Sequence, residues 1–166
     1  MSQLQEVPTA RPFVLDATEG ERIWFAGATM TLKATAETTG GELFVLEAEL
    51  PEGFSPPLHV HHDEDEVFYI LEGRLDFVCG GERYGGGPGT LAFLPRGIAH
   101  TFRVASDGAR VLGIGVPGGF EGMFRDGGRP AEGPGMPPPS GPIDPVALKA
   151  ITARYNHEVV GPPLTA

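Results

Sequence analysis

Several residue types are scarce in this sequence, and their scarcity excludes whole classes of protein. Cys79 is the only cysteine among 166 residues, so neither an intrachain disulfide nor a thiolate metal cage can form. Lys and Arg number only 12 against 22 Asp and Glu, which gives a net charge of −10. Because such a chain would repel a phosphate backbone, we expect no binding to nucleic acid or to anionic membrane surfaces.

Long apolar runs are also missing. No segment approaches the roughly 18 apolar residues of a membrane span. Residues 1–12 carry Glu and Gln, whereas a secretory signal needs a cationic start and an apolar stretch. The sequence therefore predicts a cytoplasmic protein without a membrane anchor. Gly and Pro are abundant instead, with 25 and 17 residues, and they concentrate between Pro117 and Pro145.

Short segments rich in Val, Ile, Phe, Leu and Thr recur at intervals of about 8 to 12 residues and are separated by Gly and Pro clusters. This arrangement is typical of an all-β sandwich or barrel. The predicted strands are 22–25, 29–35, 42–50, 58–62, 66–71, 74–79, 90–94, 99–104 and 110–116.

The pattern divides the chain into a single β-barrel domain with appended segments. We expect an N-terminal arm over 1–20, the barrel over 21–117, an irregular Gly/Pro-rich arm over 118–143, a C-terminal helix over 144–157 and a tail over 158–166. Asp144 is suited to cap the helix, with Pro145 at its first position. His157, at the far end of the helix, is expected to be a solvated side chain.

Four residues form a candidate metal site. His59 and His61 alternate on a predicted strand, so both side chains project from one face. Glu66 returns to the same face if the chain reverses at the acidic turn 63–65, and His100 faces inward on a later strand. Three imidazoles and one carboxylate suit a divalent first-row metal and leave one or two positions for water, substrate or dioxygen.

The spacing around these residues is more specific than the residues alone. The first block, from Gly53 to Gly73, reads G-x5-H-x-H-x4-E-x6-G, and the second, from Gly89 to His100, reads G-x5-P-x-G-x2-H. Both blocks resemble the two sequence motifs of the cupin superfamily. The second motif ends in Asn in that family, and Val104 stands at this position here.

The resemblance implies a fold, a cofactor and an assembly. Cupins form a double-stranded β-helix, or jelly roll, and small members commonly form homodimers. The metal role carries over to His59, His61, Glu66 and His100, and the metal could be Fe, Mn, Ni, Co, Cu or Zn, since all of them accept imidazole and carboxylate. The run from Pro56 to Gly73 is also similar to single-domain bacterial cupins grouped with quercetin 2,3-dioxygenase.

These observations predict a metal-dependent oxygenase that acts on a small aromatic or enolic substrate. Glu66 is expected to act as a general base as well, because apolar walls raise the proton affinity of a carboxylate. The residues expected to line an apolar substrate pocket above the metal are Phe44, Phe68, Ile70, Leu94 and Phe102.

Two other functions remain open. The first is a binding module that holds a small molecule without turnover. The second is an isomerase, which is disfavoured because no Lys or Tyr accompanies the ligands in the predicted interior strands. Independently of function, Val67, Tyr69 and Leu71 make the outer face of their strand apolar, and a homodimer would cover that face.

Overall fold

The computed structural model describes residues 10–141 and 143–166, and this part of the chain forms twelve β-strands and three short helices. The helices are α1 (Ala36–Thr39), α2 (Gly122–Gly127) and α3 (Pro145–Ala153). The strands are β1 (Glu21–Phe25), β2 (Ala28–Ala34), β3 (Phe44–Pro51), β4 (Pro57–His61), β5 (Asp65–Glu72), β6 (Leu75–Cys79), β7 (Glu82–Gly86), β8 (Leu91–Leu94), β9 (His100–Val104), β10 (Gly108–Val116), β11 (Arg129–Pro130) and β12 (His157–Pro163).

The strands form two antiparallel sheets that pack face to face. The larger sheet has the order β11-β1-β2-β3-β10-β5-β8, and the smaller has the order β12-β4-β9-β6-β7. One apolar core joins them, since Phe68 of the larger sheet has its ring centre 6.1 Å from that of Phe77 and 5.1 Å from that of Phe102, both in the smaller sheet. The prediction of an all-β jelly roll with a short C-terminal helix is confirmed.

Strand β3 shows how the sequence pattern produces a two-faced sheet. Phe44, Leu46, Ala48 and Leu50 are buried, while the intervening residues are only partly buried. On the outer face, Glu47 accepts a hydrogen bond of 3.1 Å from Arg110 on the neighbouring strand β10. The period of two therefore places apolar side chains between the sheets and charged ones outside.

Glycines with positive φ angles form the tight turns between neighbouring strands. At the β5–β6 turn Gly73 has φ +81°, and a Cβ there would lie 2.3 Å from the carbonyl oxygen of Gly108. Gly80 and Gly81, with φ of 60° and 85°, form a two-residue hairpin loop between β6 and β7. Strand β7 itself was not predicted, because the residues after Gly81 are mostly charged or glycine.

The Gly/Pro-rich arm differs from the irregular segment expected over 118–143. It contains α2 and β11, and its apolar residues Phe120, Met123 and Phe124 are buried in the core. The carboxylate of Glu121, which is also buried, accepts hydrogen bonds of 2.6 Å from the backbone N–H groups of Ala36 and Gly119. Burial of these side chains orders the segment despite its high glycine and proline content.

The C-terminal residues also differ from expectation. Helix α3 begins as predicted, with Asp144 accepting a hydrogen bond of 3.0 Å from the N–H of Val146, but it ends at Ala153. In place of the expected tail over 158–166, strand β12 pairs with β4. The barrel is thus completed by strands from outside the range 21–117.

The remaining expectations concern the N-terminus and the membrane. Of the N-terminal arm expected over 1–20, residues 1–9 lie outside the described residues, and residues 10–20 contain no helix or strand. None of the helices in the described ranges has the length and apolar character that a membrane span requires.

Candidate metal centre

The four predicted ligand residues lie together between the two sheets. Strand β4 presents His59 and His61, β9 presents His100, and β5 of the opposite sheet presents Glu66. Their candidate ligand atoms all lie within 4.8 Å of one another. The pairing of His59 with His100 across β4 and β9 aligns the first and second sequence motifs. The group could therefore hold one metal ion.

Two of the histidines have their orientation fixed by backbone carbonyls. The Nδ1 atom of His59 lies 2.6 Å from the carbonyl oxygen of Pro57, and Nδ1 of His100 lies 3.0 Å from that of Ile98. A carbonyl oxygen can only accept a hydrogen bond, so the proton of each neutral ring resides on Nδ1. This arrangement leaves the lone pair of each Nε2 available for a metal, as is usual for ligating histidines.

The third histidine is fixed by a carboxylate. Nδ1 of His61 donates a hydrogen bond of 2.6 Å to Oε1 of Glu64, which is only 5% exposed. The sequence predicted Glu64 only as part of the acidic turn 63–65, so its contact with His61 was missed. The signal that could have revealed it is the three-residue spacing from His61, which brings the carboxylate back to the ring as the chain turns.

On the side of the cluster that faces away from these hydrogen bonds, the Nε2 atoms of the histidines lie close to the carboxylate of Glu66. Oε2 of Glu66 lies 3.1 Å from Nε2 of His100 and 3.6 Å from Nε2 of His61. When the protons reside on Nδ1, lone pairs and a carboxylate converge here without a donor between them. A divalent cation would neutralise this convergence, and nitrogen and carboxylate donors are those that first-row metals accept. The residues present therefore fit a metal ion.

The electrostatics of the cluster correct one expectation. Without a metal, a proton on the rings takes the place of the cation beside Glu66. Burial would raise the pKa of Glu66, but the positive charge of His61 and a hydrogen bond donated by His100 outweigh burial and lower the pKa to about 2. The predicted rise in proton affinity is therefore wrong. Burial would lower the pKa of His61, but Glu66 and Glu64 outweigh it and raise that pKa, so a metal ion would displace this proton. Burial, reinforced by repulsion from His100, lowers the pKa of His59 to about 4. At neutral pH, Glu66 is ionised and His59 is neutral, which are the forms that bind metal.

A partly open cavity adjoins the cluster. Its volume is about 90 Å³, and its wall is almost entirely apolar. Of the predicted pocket residues, Phe44, Phe68 and Phe102 line it, whereas Ile70 and Leu94 do not. Both lie in the core, and Leu94 also borders a separate groove between β6 and β8. The lining residues that sequence reasoning did not name include Phe25, Met30, Leu46, Phe54, Phe120, Met123 and Phe124.

His157 also lines this cavity and is not the solvated residue that was expected. It is the first residue of β12, is 7% exposed, and has its ring centre 4.4 Å from those of both His59 and His61. Burial and the neighbouring His59 lower the pKa of His157 to about 2. The alternation of His157 and Val159 with Glu158 is the signal that could have indicated a strand. His62, by contrast, directly follows β4, faces outward and hydrogen-bonds Glu158.

Two facing antiparallel sheets that enclose three histidines and one glutamate define a cupin-type barrel with a candidate metal centre. Residues 46–114 match the cupin domain family. The chain is also 33% identical over 161 residues to quercetin 2,3-dioxygenase of Bacillus subtilis, a match that covers 96% of this chain and 46% of that protein. The chain belongs to the cupin superfamily, and it spans about half the length of this relative.

Two further similarities were found. An uncharacterized protein of Streptomyces coelicolor is 30% identical over 107 residues, which cover 64% of this chain and 96% of that protein. A predicted oxalate decarboxylase from Thermotoga maritima has a similar structure, with a TM-score of 0.58 and 21% identity over 63% of this chain and 99% of that one. The latter similarity concerns the fold alone.

Proposed function

We propose that this cupin is a metal-dependent oxidoreductase of the dioxygenase type that acts on a small aromatic or enolic substrate. The observation that carries the proposal is the convergence of three histidines and one carboxylate beside an apolar cavity. The similarity to a quercetin 2,3-dioxygenase over nearly the whole chain supports the same reaction class. The proposal extends to one divalent transition metal per chain, held by His59, His61, Glu66 and His100.

The cavity limits the size of the substrate. At about 90 Å³ it is smaller than the engineered cavity of about 150 Å³ in another protein that takes up benzene. A substrate that contains a six-membered ring therefore fits only if side chains of the cavity wall move. Met30 and Met123 line the wall, and methionine side chains adapt readily because they are unbranched and flexible. We expect a small substrate, most of whose surface is apolar.

The side chains around the centre have distinct roles in this proposal. When bound, the metal would bring an ionised substrate oxygen and dioxygen together and stabilise the negative charge. His59, His61 and His100 each direct Nδ1 to an acceptor, so that Nε2 faces the position of the metal, which would displace any proton there. Phe44, Phe68 and Phe102 make the wall of the cavity apolar, and a bound substrate that displaces water from it would strengthen the electrostatic interactions within it. Glu66 is an ionised ligand and the nearest carboxylate to the substrate, although its lowered pKa makes it a weak base.

The two alternative functions, an isomerase and a binding module, require different residues in the cavity. Among the described residues that line it there is neither Lys nor Tyr, so an isomerase that moves protons with such side chains finds little support. A binding module would need only the metal and the apolar wall. Turnover therefore separates that alternative from the oxygenase.

The test combines a metal assay with dioxygen uptake. Protein from its native host is assayed for metal by mass spectrometry, and dioxygen consumption is then followed with a panel of small enolic and phenolic compounds. We expect about one metal per chain and uptake that depends on both metal and substrate. His59→Ala should lose both, while the matched variant His62→Ala, on the outer face of the same segment, should retain them. Metal binding without uptake for any compound and any first-row metal would favour the binding module.

A further inference from the structure

The register of the last strand places a fifth histidine at the metal centre. Strand β12 runs antiparallel to β4, with His157 opposite His61 and Val159 opposite His59. Residues directly opposite each other in such a pair project from the same face of the sheet. The side chain of His157 therefore enters the space between the sheets beside the two candidate ligands of β4.

This imidazole is buried without a hydrogen-bond partner. Neither Nδ1 nor Nε2 of His157 has one among the described residues, although both atoms are inaccessible. Buried polar atoms nearly always have a partner in the protein or in something bound to it. A phenylalanine would pack against His61 and Phe120 equally well and would leave no polar atom unsatisfied. Packing alone therefore does not account for a histidine at this position.

The surroundings indicate what the missing partner is. Outside the four candidate metal ligands, His157 is the one polar side chain among the described residues that line the cavity. Its ring centre is equally close, at 4.4 Å, to the rings of His59 and His61. A molecule that enters the cavity and binds the metal would therefore have this imidazole as its nearest polar neighbour.

We propose that His157 hydrogen-bonds the small ligand held at the metal centre, at an atom next to the one that the metal binds. The proposal rests on the proposed function, because it requires a metal at the cluster. A neutral imidazole carries one N–H and one lone pair, so it suits a hydroxyl or carbonyl oxygen at that position. The substrate class is thereby narrowed to small molecules with two neighbouring polar atoms in an otherwise apolar body.

The experiment measures ligand binding rather than turnover. Cobalt(II) is loaded into the wild type and into His157→Phe, His157→Gln and His62→Phe, and azide is titrated while the visible absorption of the cobalt is recorded. Azide binds a metal through one end and presents a further nitrogen to a neighbouring donor. We expect His157→Phe to bind azide about tenfold more weakly, which is the loss of one ordinary hydrogen bond. His157→Gln should restore part of the affinity, and His62→Phe should match the wild type.

Each outcome has a defined consequence. Equal azide affinity in the wild type and His157→Phe, at equal cobalt content, would overturn the role of His157 and leave the proposed function intact. Loss of cobalt from His157→Phe would also overturn it, because the ring would then support the metal ligands instead. Failure of the wild type to bind any first-row metal would overturn both proposals. Should His157→Phe fail to fold, His157→Leu provides a second apolar replacement for the same titration.

Discussion

The imidazole of His61 and the carboxylate of Glu64 share a hydrogen bond of 2.6 Å in which both side chains are buried. Glu64 orients the ring and increases its electron density, so Glu64→Ala should weaken metal binding about 10- to 100-fold. Glu64→Gln should weaken it less, because an amide oxygen can still accept from Nδ1. Calorimetric titration with the metal measures the effect, and the exposed Glu52→Ala serves as the control. Equal affinities in all four proteins would contradict this role.

Metal removal should destabilise the protein. A ligand that binds only the folded state stabilises it by about 4 kcal/mol at a thousandfold excess over its dissociation constant. For a chain of this length that free energy corresponds to roughly 10 °C in melting temperature. Calorimetric melting with and without a chelator measures the shift, which should disappear in His59→Ala and persist in His62→Ala. A chelator-independent melting temperature would show that the four residues hold no metal.

Glu66→Gln tests whether the carboxylate does more than bind metal. The amide retains a ligating oxygen but cannot take a proton. If Glu66 also acts as a base, turnover per bound metal should fall about 10²- to 10⁴-fold, even when the metal content is restored. Turnover is divided by the metal measured in the same sample, so that metal loss is not mistaken for chemical loss. Equal turnover per metal would assign Glu66 to metal binding alone.

We propose that the chain forms a homodimer through the outer face of β5 and β8. Val67 lies opposite Phe93, and Tyr69 lies opposite Leu91. The side chains of Tyr69, Leu91 and Phe93 are between 40% and 62% exposed. Strand β8 is the edge of its sheet, and a partner would cover this apolar surface. Light scattering should give twice the chain mass of 17.5 kDa.

The dimer proposal has a matched pair of variants. Phe93→Glu should give the monomer mass because a charge at the centre of the interface would be buried without a counter-ion. Val146→Glu places the same charge at another exposed apolar residue, at the start of α3, and should remain dimeric. A wild-type mass of one chain at micromolar concentration would exclude the dimer.

Gly115 tests the packing of the cavity wall. A Cβ at this position of β10 would lie 2.0 Å from the ring of Phe44, which lines the cavity. Gly115→Ala should therefore force the ring to move and reduce the free energy of unfolding by about 1–3 kcal/mol. Denaturant unfolding measures the loss. Gly133→Ala, where an added Cβ meets no atom within 4 Å, should be close to neutral, and a similar loss in both variants would argue against the steric explanation.

The sequence was most informative for features that depend only on neighbouring residues, such as strand alternation and turn length. The alternation in β3 and β4 assigned the inner faces, and the fixed spacing from Gly53 to Gly73 brought His59, His61 and Glu66 into one group. These features depend on strand period and turn length, which are properties of short segments. An all-β barrel and the four grouped residues could accordingly be predicted without any knowledge of tertiary contacts, whereas the jelly-roll topology was implied by the resemblance to the cupin motifs.

The features that were missed depend on contacts between distant segments. His157 joins the centre only because β12 pairs with β4, and Gly161 and Pro163 within β12 weaken the strand signal. Glu64 was assigned only to an acidic turn, and its contact with His61 was missed, because charged turn residues usually face solvent. The arm over 118–143 was expected to be irregular from its composition, yet Phe120 and Phe124 are buried by the barrel. Tertiary burial in each case overrides local preference.

The pairing of β12 with β4 also bears on how the protein avoids aggregation. In the smaller sheet β12 is the outermost strand on the side of β4, and β4 meets β9, its other neighbour, at the single position of His59 and His100. Without β12, the N–H and C=O groups of the ligand-bearing strand would form an open edge, which is a template for pairing with other chains. The segment that brings His157 to the centre therefore also shields the neighbouring histidines from intermolecular strand exchange.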